Sequence, residues 1–146
     1  MEHDLEDVAV TEQIELILPA QPEFLFLARL HVGGVASRMA MTIAEIEDLQ
    51  LAVEELCLTL LGPNGPYEGR LRFDVRWDSE LIEVRCQLTE APALDASGAG
   101  DLSAGLPHSL SERILDALVD EHGASVENGA RVAWLRKRRE HSRPGQ

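Results

Sequence analysis

The hydrophobic positions in the first part of the chain predict a strand followed by a helix. Residues 14–18 form a short, mostly apolar run that ends at Pro19, as expected of a strand. Apolar side chains then recur at spacings of three and four, the period of a helix with one buried face. These side chains are Leu25, Ala28, Val32, Val35, Ala36 and Met39. Gly33 and Gly34 weaken the middle of this helix by about 1 kcal/mol each relative to alanine.

A second helix is predicted to begin at Thr42. Thr42 and Glu45 have the spacing of a capping box, in which each side chain binds the backbone amide of the other residue. The buried stripe of this helix consists of Ile46, Leu49, Val53, Leu56 and Leu60. Gly62 and Pro63 end the helix, because glycine permits a C-terminal cap and proline cannot continue the helical hydrogen bonding.

Residues 70–77 and 82–88 predict two antiparallel strands joined by the turn 78–80. Apolar and polar side chains alternate in each segment, so one face of each strand is buried. Residues 90–108 are rich in alanine, glycine, serine and proline and have no period, which predicts a long loop. Loops of this length inside a compact domain often act as lids or binding segments.

The last third of the chain predicts a helix and then a hairpin. The helix covers about residues 110–122 and is followed by Gly123; its expected inner face carries Leu110, Ile114 and Leu118. The pair 128–129 (Asn-Gly) indicates a type I′ turn, after which Val132 and Trp134 share one face. The order β-α-α-β-β-loop-α-β-β predicts an α+β fold. We expect a two-layer sandwich with about three helices on one face of an antiparallel or mixed sheet.

Length and charge then define the domain and its class of partner. The 146 residues, 45% of them apolar, suffice for one core, which we assign to residues 13–138 between an acidic flexible leader (1–12) and a basic flexible tail (139–146). The basic run 136–139 is interpreted as a solvated end. Residues 1–130 hold 7 basic and 25 acidic side chains. This acidic body disfavours nucleic-acid binding and favours a basic protein partner.

The remaining composition argues against membrane, disulfide and metal chemistry. No apolar run approaches the roughly 20 residues that span a bilayer. The acidic start is the reverse of a signal peptide, so a cytoplasmic protein is expected. Cys57 and Cys86 fall within apolar patterns and are expected to be buried, reduced thiols. No CxxC pair or histidine–cysteine–aspartate cluster indicates a metal site.

Three stretches in this order resemble one known family. They are 28–32 (ARLHV), 46–57 (IEDLQLAVEELC) and 114–121 (ILDALVDE), one in each predicted helix. With the strand pattern, they are similar to the anti-sigma factor and serine-protein kinase family of the GHKL ATPase superfamily. The resemblance covers about residues 12–138 and implies the histidine-kinase-like ATPase fold. It also implies binding to a sigma factor, release by a STAS-domain anti-anti-sigma protein, and a homodimer whose first strand could pair across a twofold axis.

Active members of that family phosphorylate their STAS-domain partner with MgATP, and the first motif for this chemistry is altered here. The family has a glutamate and, four residues later, an asparagine on one helix face. The glutamate orients or deprotonates the attacking hydroxyl, and the asparagine ligates magnesium. Glu55 occupies the glutamate position, where it could also be an ordinary solvated acid, and Thr59 replaces the asparagine. Threonine is shorter and has no amide carbonyl.

The adenine and phosphate motifs of the family are altered as well. Leu88 occupies the position of the aspartate that binds adenine, or Glu90 does if the register slips. Ser109 and Ser111 occupy the two glycine positions of the phosphate cradle, where Ser109 and Glu112 form a second capping box instead. A phosphate loop at 98–100 or 105–107 is the alternative register.

The resemblance and its departures predict an anti-sigma factor that works by binding, without a cofactor. Arg29 matches the first-helix arginine with which the family contacts the sigma factor, although an ordinary surface arginine would look the same. The alternative is an active protein-serine kinase that uses ATP and magnesium, with Glu55 as base. A third hypothesis is a scaffold that serves another regulator, since fold does not fix function.

Overall fold

The computed structural model describes residues 12–62, 68–90 and 110–140. Five strands form one sheet: β1 (Glu12–Pro19), β2 (Arg70–Trp77), β3 (Leu81–Thr89), β4 (Glu121–Glu127) and β5 (Ala130–Arg138). A short 3₁₀ turn (Pro22–Phe24) precedes the three helices, which are α1 (Leu25–Arg38), α2 (Ile43–Leu61) and α3 (Leu110–Leu118). The strand order is β1-β2-β3-β5-β4, and each neighbouring pair is antiparallel. The predicted α+β fold is confirmed, with a wholly antiparallel sheet.

The core lies between the helices and one face of the sheet. Phe73 stands opposite Leu16 on β1 and Cys86 on β3, so each strand adds an apolar residue to the same face. Helix α2 contacts both of the other helices as well as β3 and β5. It is therefore the central helix of its layer, and its two flanks meet α1 and α3.

The predicted helical stripes are confirmed in α1 and α2. Each apolar position predicted for α1 is buried, and in α2 the same holds except for Ile46, which is partly buried. The capping box forms as predicted. The Thr42 amide donates to Glu45 Oε1 at 2.7 Å, and the Glu45 amide donates to Thr42 Oγ1 at 3.1 Å. Gly62 ends α2 with a φ of 80°, which favours glycine.

Gly34 gives a simple test of how α1 is stabilised. It is exposed in the middle of the helix, and a Cβ added there would meet no atom within 4 Å. Gly34→Ala should therefore raise the free energy of unfolding by about 0.5–1 kcal/mol, because alanine loses less backbone entropy on folding. Urea denaturation measures this gain. Gly129→Ala, at a φ of 81°, is the control that should lose stability; a loss in Gly34→Ala would contradict the helix assignment.

The third helix is shorter than predicted, and its inner face is only partly the predicted one. It ends at Leu118 rather than near residue 122. Leu118 packs against the core as predicted, but Leu115 is the buried residue and Leu110 is 73% exposed. The end is fixed by the sheet. The ammonium of Lys137 donates to the Leu118 carbonyl at 2.9 Å, and the Asp120 amide donates to the Arg136 carbonyl at 3.0 Å. These contacts come from β5, so no local pattern in residues 110–122 shows them.

Gly123 is a strand residue and not the helix terminator that the sequence suggested. It lies in β4 opposite Trp134, and a Cβ there would approach the indole ring to 2.8 Å.

The type I′ turn of the last hairpin is confirmed by the positive φ of Asn128 and Gly129. Val132 and Trp134 do share a face, but it is the outer face of the sheet. The register places Ala133 opposite Cys86, so the alternate residues of β5 face the core.

The basic run 136–139 is not a solvated end, which corrects the sequence interpretation. Arg136 contacts Glu83 at 2.9 Å and Glu121 at 3.0 Å, and its guanidinium lies 5.0 Å from the centre of the Trp134 ring. These two carboxylates raise the pKa of Arg136, although desolvation alone would lower it. The Arg139 amide donates to the Glu80 carbonyl at 2.7 Å. Strand pairing thus incorporates most of the run into the domain.

Glu45 joins three parts of the chain in addition to capping α2. Its side chain is 4% exposed, and the Glu140 amide donates to its Oε2 at 2.6 Å. Lys137, which is also buried, lies close enough to interact electrostatically with Glu45 while it binds the end of α3. The start of α2, the end of α3 and the end of β5 are therefore held at one buried polar cluster.

The folded chain also shows the state of the two cysteines and bears on the expectations about metal ions and membranes. Cys57 and Cys86 are free, fully buried thiols in contact between α2 and β3; burial, with the hydrogen bond between them, raises the pKa of Cys86. Within the described ranges, no three histidine, cysteine or carboxylate side chains group as metal ligands. None of the described helices has the length and apolarity needed to cross a membrane.

Candidate functional site

The junction of α2 and α3 brings together three of the residues singled out in the sequence. The Ser111 hydroxyl, in the first turn of α3, donates to Glu55 Oε2. The Thr59 hydroxyl donates to the Glu55 carbonyl at 3.0 Å. Glu55 and Thr59 share a helix face because they are four residues apart. The site is therefore a closed hydrogen-bonded group in which the Glu55 carboxylate already has a partner.

This group does not fit a magnesium ion. Mg²⁺ prefers carboxylate, carbonyl and water oxygens in near-octahedral geometry. Thr59 supplies one short hydroxyl whose proton is bound back to its own helix, and the Glu55 carboxylate accepts from Ser111. Position 59 has no asparagine, so no side-chain amide carbonyl extends from the helix to ligate the ion. No catalytic step through magnesium follows from these residues.

The residue matched to the family's adenine-binding aspartate, Leu88, is also in apolar surroundings in the folded chain. Leu88 stands opposite Leu71 in the β2–β3 pair and packs against the core. Its side chain cannot accept a hydrogen bond from an amino group. Glu90, the alternative in a slipped register, is exposed and pairs with Arg70 at 3.3 Å. The assignment of Leu88 to the family's aspartate position stays a prediction.

The phosphate position is described only in part. Ser109 and the glycines at 98–100 and 105 lie outside the described residues, so neither the second capping box nor the alternative phosphate loop is tested. Ser111 and Glu112 are described in the first turn of α3. Glu112 places a carboxylate at the positive end of this helix dipole, where a phosphate would otherwise bind favourably.

Arg29 lies on the other flank of α2. Its Nη1 is 3.8 Å from Glu54 Oε1, and both side chains are partly exposed. The Gln50 side-chain amide donates to the Arg29 carbonyl at 3.0 Å, which fixes the α1 backbone against α2. Neighbouring residues Glu54 and Glu55 thus face different helices: one meets Arg29 of α1, and the other meets Ser111 of α3.

Two contacts of this region were missed in the sequence. The pairing of Arg29 with Glu54 joins residues 25 positions apart, and their helices meet at an angle and offset that spacing along the chain does not give. Arg131 of β5 donates to the Leu60 carbonyl at 3.1 Å and so caps the end of α2 beside Thr59. A basic residue near a helix C-terminus is favourable, but only the folded chain shows which helix it serves.

Ser111→Ala should lower the free energy of unfolding by about 1 kcal/mol, because it removes a hydrogen bond to a partly exposed carboxylate. Urea denaturation of Ser111→Ala, Glu55→Ala and the double variant forms a thermodynamic cycle. We expect the serine substitution to have little effect once Glu55 is absent. Strictly additive losses would contradict the contact.

Comparison with known proteins gives close relatives across most of the chain. No family model matches it. Over 139 residues the chain is 54% identical to serine-protein kinase RsbW of Bacillus subtilis (strain 168), covering 86% of this chain and 85% of the relative. It is 50% identical to serine-protein kinase RsbW of Bacillus velezensis, with the same coverage, and 52% identical to that of Bacillus pumilus, covering 84% of each chain.

Proposed function

Because this chain belongs to the anti-sigma factor and serine-protein kinase family of the GHKL ATPase superfamily, we propose that it binds and sequesters an alternative sigma factor. Release follows when a STAS-domain anti-anti-sigma protein takes the place of the sigma factor, and no ATP hydrolysis is needed. The observation that carries this proposal is the closed group of Glu55, Thr59 and Ser111. A sigma antagonist acts where RNA polymerase is, so its place is the cytoplasm.

The closed group supports binding without phosphoryl transfer for a chemical reason. A base must lie within hydrogen-bond reach of the hydroxyl that it activates. The Glu55 carboxylate is instead held by Ser111, and nothing at Thr59 or Leu88 replaces the lost contacts to magnesium and adenine. Opening the site to a substrate would break the hydrogen bond between Glu55 of α2 and Ser111 of α3. No contact to magnesium or adenine would compensate for this loss.

Charge and exposure support a protein partner. The net charge of −13 attracts basic surfaces such as those with which a sigma factor meets DNA. Arg29 is 45% exposed and loosely paired, so its guanidinium remains able to bind an acceptor on the partner. We assign the main partner contact to Arg29.

The proposed function is tested by affinity capture of the full chain from its native cells without added ATP, followed by mass spectrometry. We expect a sigma factor and a STAS-domain protein to be recovered separately, because they exclude each other. A denatured-bait column controls for nonspecific capture of basic proteins. Recovery of neither protein would refute the proposal and favour a scaffold for another regulator.

A second candidate function is supported by the relatives, which are serine-protein kinases by name, and by the retained Glu55. An active kinase would transfer the terminal phosphoryl group of ATP to a serine of the STAS-domain partner, with Glu55 as base and Thr59 as a weak magnesium ligand. MgATP at millimolar concentration would then raise the melting temperature, since a ligand of the native state stabilises it. An unchanged melting temperature would count against this candidate.

A homodimer is the assembly that we propose. Strand β1 is at the edge of the sheet, pairs only with β2 among the described strands, and exposes Ile14 and Ile17. An unpaired edge can extend a sheet across a twofold axis. Sedimentation of the wild-type chain and of a variant with proline at Ile17 tests it: the wild type should be dimeric and the variant monomeric.

A further inference from the structure

The outer surface of the α1–α2 pair exposes a group of large apolar side chains. This outer helix patch consists of Phe26 and Leu30 on α1 and Leu51 and Leu58 on α2, with exposed fractions of 47%, 63%, 49% and 41%. Phe26 and Leu30 are four residues apart, and Leu51 and Leu58 are seven apart, so each pair lies on one face of its helix. The ion pair between Arg29 and Glu54 joins the two helices within this patch.

The four side chains lie on neighbouring helices, since the residues between them, Arg29 and Glu54, form an ion pair at 3.8 Å. Single exposed apolar residues are normal, but a group of them rimmed by polar residues indicates an interaction site. Four of the nine large apolar side chains that are exposed in the described ranges belong to this one patch. The core does not include these four side chains, because α1 and α2 bury a separate stripe of apolar residues against the sheet.

The charges around the patch define the partner. Residues 25–61 contain five acidic side chains and two basic ones, and α2 contains no lysine or arginine. Glu47 is exposed one turn before Leu51, and Glu54 lies between Leu51 and Leu58. An anionic membrane would be repelled by these carboxylates. A basic protein segment would be attracted, and its apolar side chains would cover the leucines.

We propose that the outer helix patch docks an amphipathic helix of the partner protein, whose apolar face is flanked by lysine or arginine. The apolar face packs on Leu30, Leu51 and Leu58, and the flanking cations face Glu47 and Glu54. Arg29 meets a carboxylate or a terminal carbonyl of the same helix. This inference rests on the proposed function in taking the partner to be a protein, and it adds the surface and the chemistry of the contact.

Leu30→Asp and Leu58→Asp test the proposal against the sigma factor captured by the wild-type chain. Leu30 is 63% exposed and Leu58 is 41% exposed, so neither substitution opens the core; urea denaturation of each variant checks that it folds. Val126→Asp on β4 is the matched control, since Val126 is 43% exposed and the charge change is the same. If net charge alone attracted the basic partner, each added aspartate would strengthen its binding. We expect each leucine variant to bind at least tenfold more weakly and the control to bind as the wild type does.

A labelled leucine–lysine amphipathic peptide, a leucine–glutamate counterpart and phosphatidylglycerol vesicles separate the two proposals. The wild type should bind only the leucine–lysine peptide, and Leu30→Asp should weaken that binding at least tenfold. If the peptide binds at the patch but no sigma factor is captured, the proposed function fails and the docking surface stands. Sigma binding unchanged in both leucine variants, or binding to the vesicles, would overturn the docking surface alone.

Discussion

Replacing Glu45 by alanine is expected to lower the free energy of unfolding by about 3 kcal/mol. The substitution leaves the amides of Thr42 and Glu140 without their carboxylate acceptor, and both bonds are to a side chain that is 4% exposed. Buried hydrogen bonds to charged groups contribute about 1.5–3 kcal/mol each. The variant also deprives the buried Lys137 of its nearby anion. Urea denaturation at pH 7 measures the loss.

The same carboxylate predicts a dependence on pH. Burial alone would raise the pKa of Glu45, but the hydrogen bonds from Glu140 and Thr42 and the charge of Lys137 hold it below its usual value near 4.5. A lowered pKa in the folded state stabilises the fold above the unfolded-state pKa, and this stabilisation is lost as pH falls through the folded-state value. The stability difference between wild type and Glu45→Gln should therefore shrink below about pH 4.5. A difference that grows there would contradict the assignment.

Arg29→Glu is expected to weaken sigma-factor binding at least a hundredfold under the proposed function. The change removes the guanidinium that we assign to the partner and places a carboxylate beside Glu54. Truncating one partner of a buried, charged interface pair costs about 2–5 kcal/mol, and reversing its charge adds repulsion. The stability of the chain should change by less than about 1 kcal/mol, since the ion pair with Glu54 is partly exposed. Isothermal titration calorimetry measures the affinity.

Two variants separate partner contact from local structure at Arg29. Arg38→Glu reverses a charge on the exposed last turn of the same helix and should bind as the wild type does. Gln50→Ala removes the other contact that joins α1 to α2 at this point, the hydrogen bond to the Arg29 carbonyl. If Arg29 acts only by joining these helices, Gln50→Ala should also weaken sigma-factor binding. If Arg29 meets the partner, Gln50→Ala should bind as the wild type does.

Most of the fold follows from local patterns along the chain. Alternation predicted β2 and β3, and the Thr42–Glu45 spacing predicted the start of α2. The errors lie where distant residues decide. Lys137 and Arg136 of β5 bind the end of α3 at Leu118 and a residue shortly after it, and no residue within 110–122 indicates these contacts. The basic run 136–139 looks solvated in the sequence because its partners on β3, β4 and the β2–β3 turn are far away along the chain.

The candidate site was predictable only where spacing fixes geometry. The separation of four residues places Glu55 and Thr59 on one face, and counting along the family motif assigns Ser111. The arrangement of the three helices determines the two further contacts, between Ser111 and the Glu55 carboxylate and between Arg29 and Glu54. The predicted buried stripes of α1 and α2 already leave Leu30, Leu51 and Leu58 on the outer sides of their helices. The arrangement of these two outer sides next to each other depends on how the helices pack.

The most direct measurement of the central claim is phosphoryl transfer from radiolabelled MgATP to the purified STAS-domain partner. Binding without catalysis predicts no label on the partner above a sample without the chain, although the chain binds its sigma factor equally well with and without nucleotide. Serine-linked label that appears with the wild type and disappears with Glu55→Gln would contradict the claim and make the chain an active protein-serine kinase.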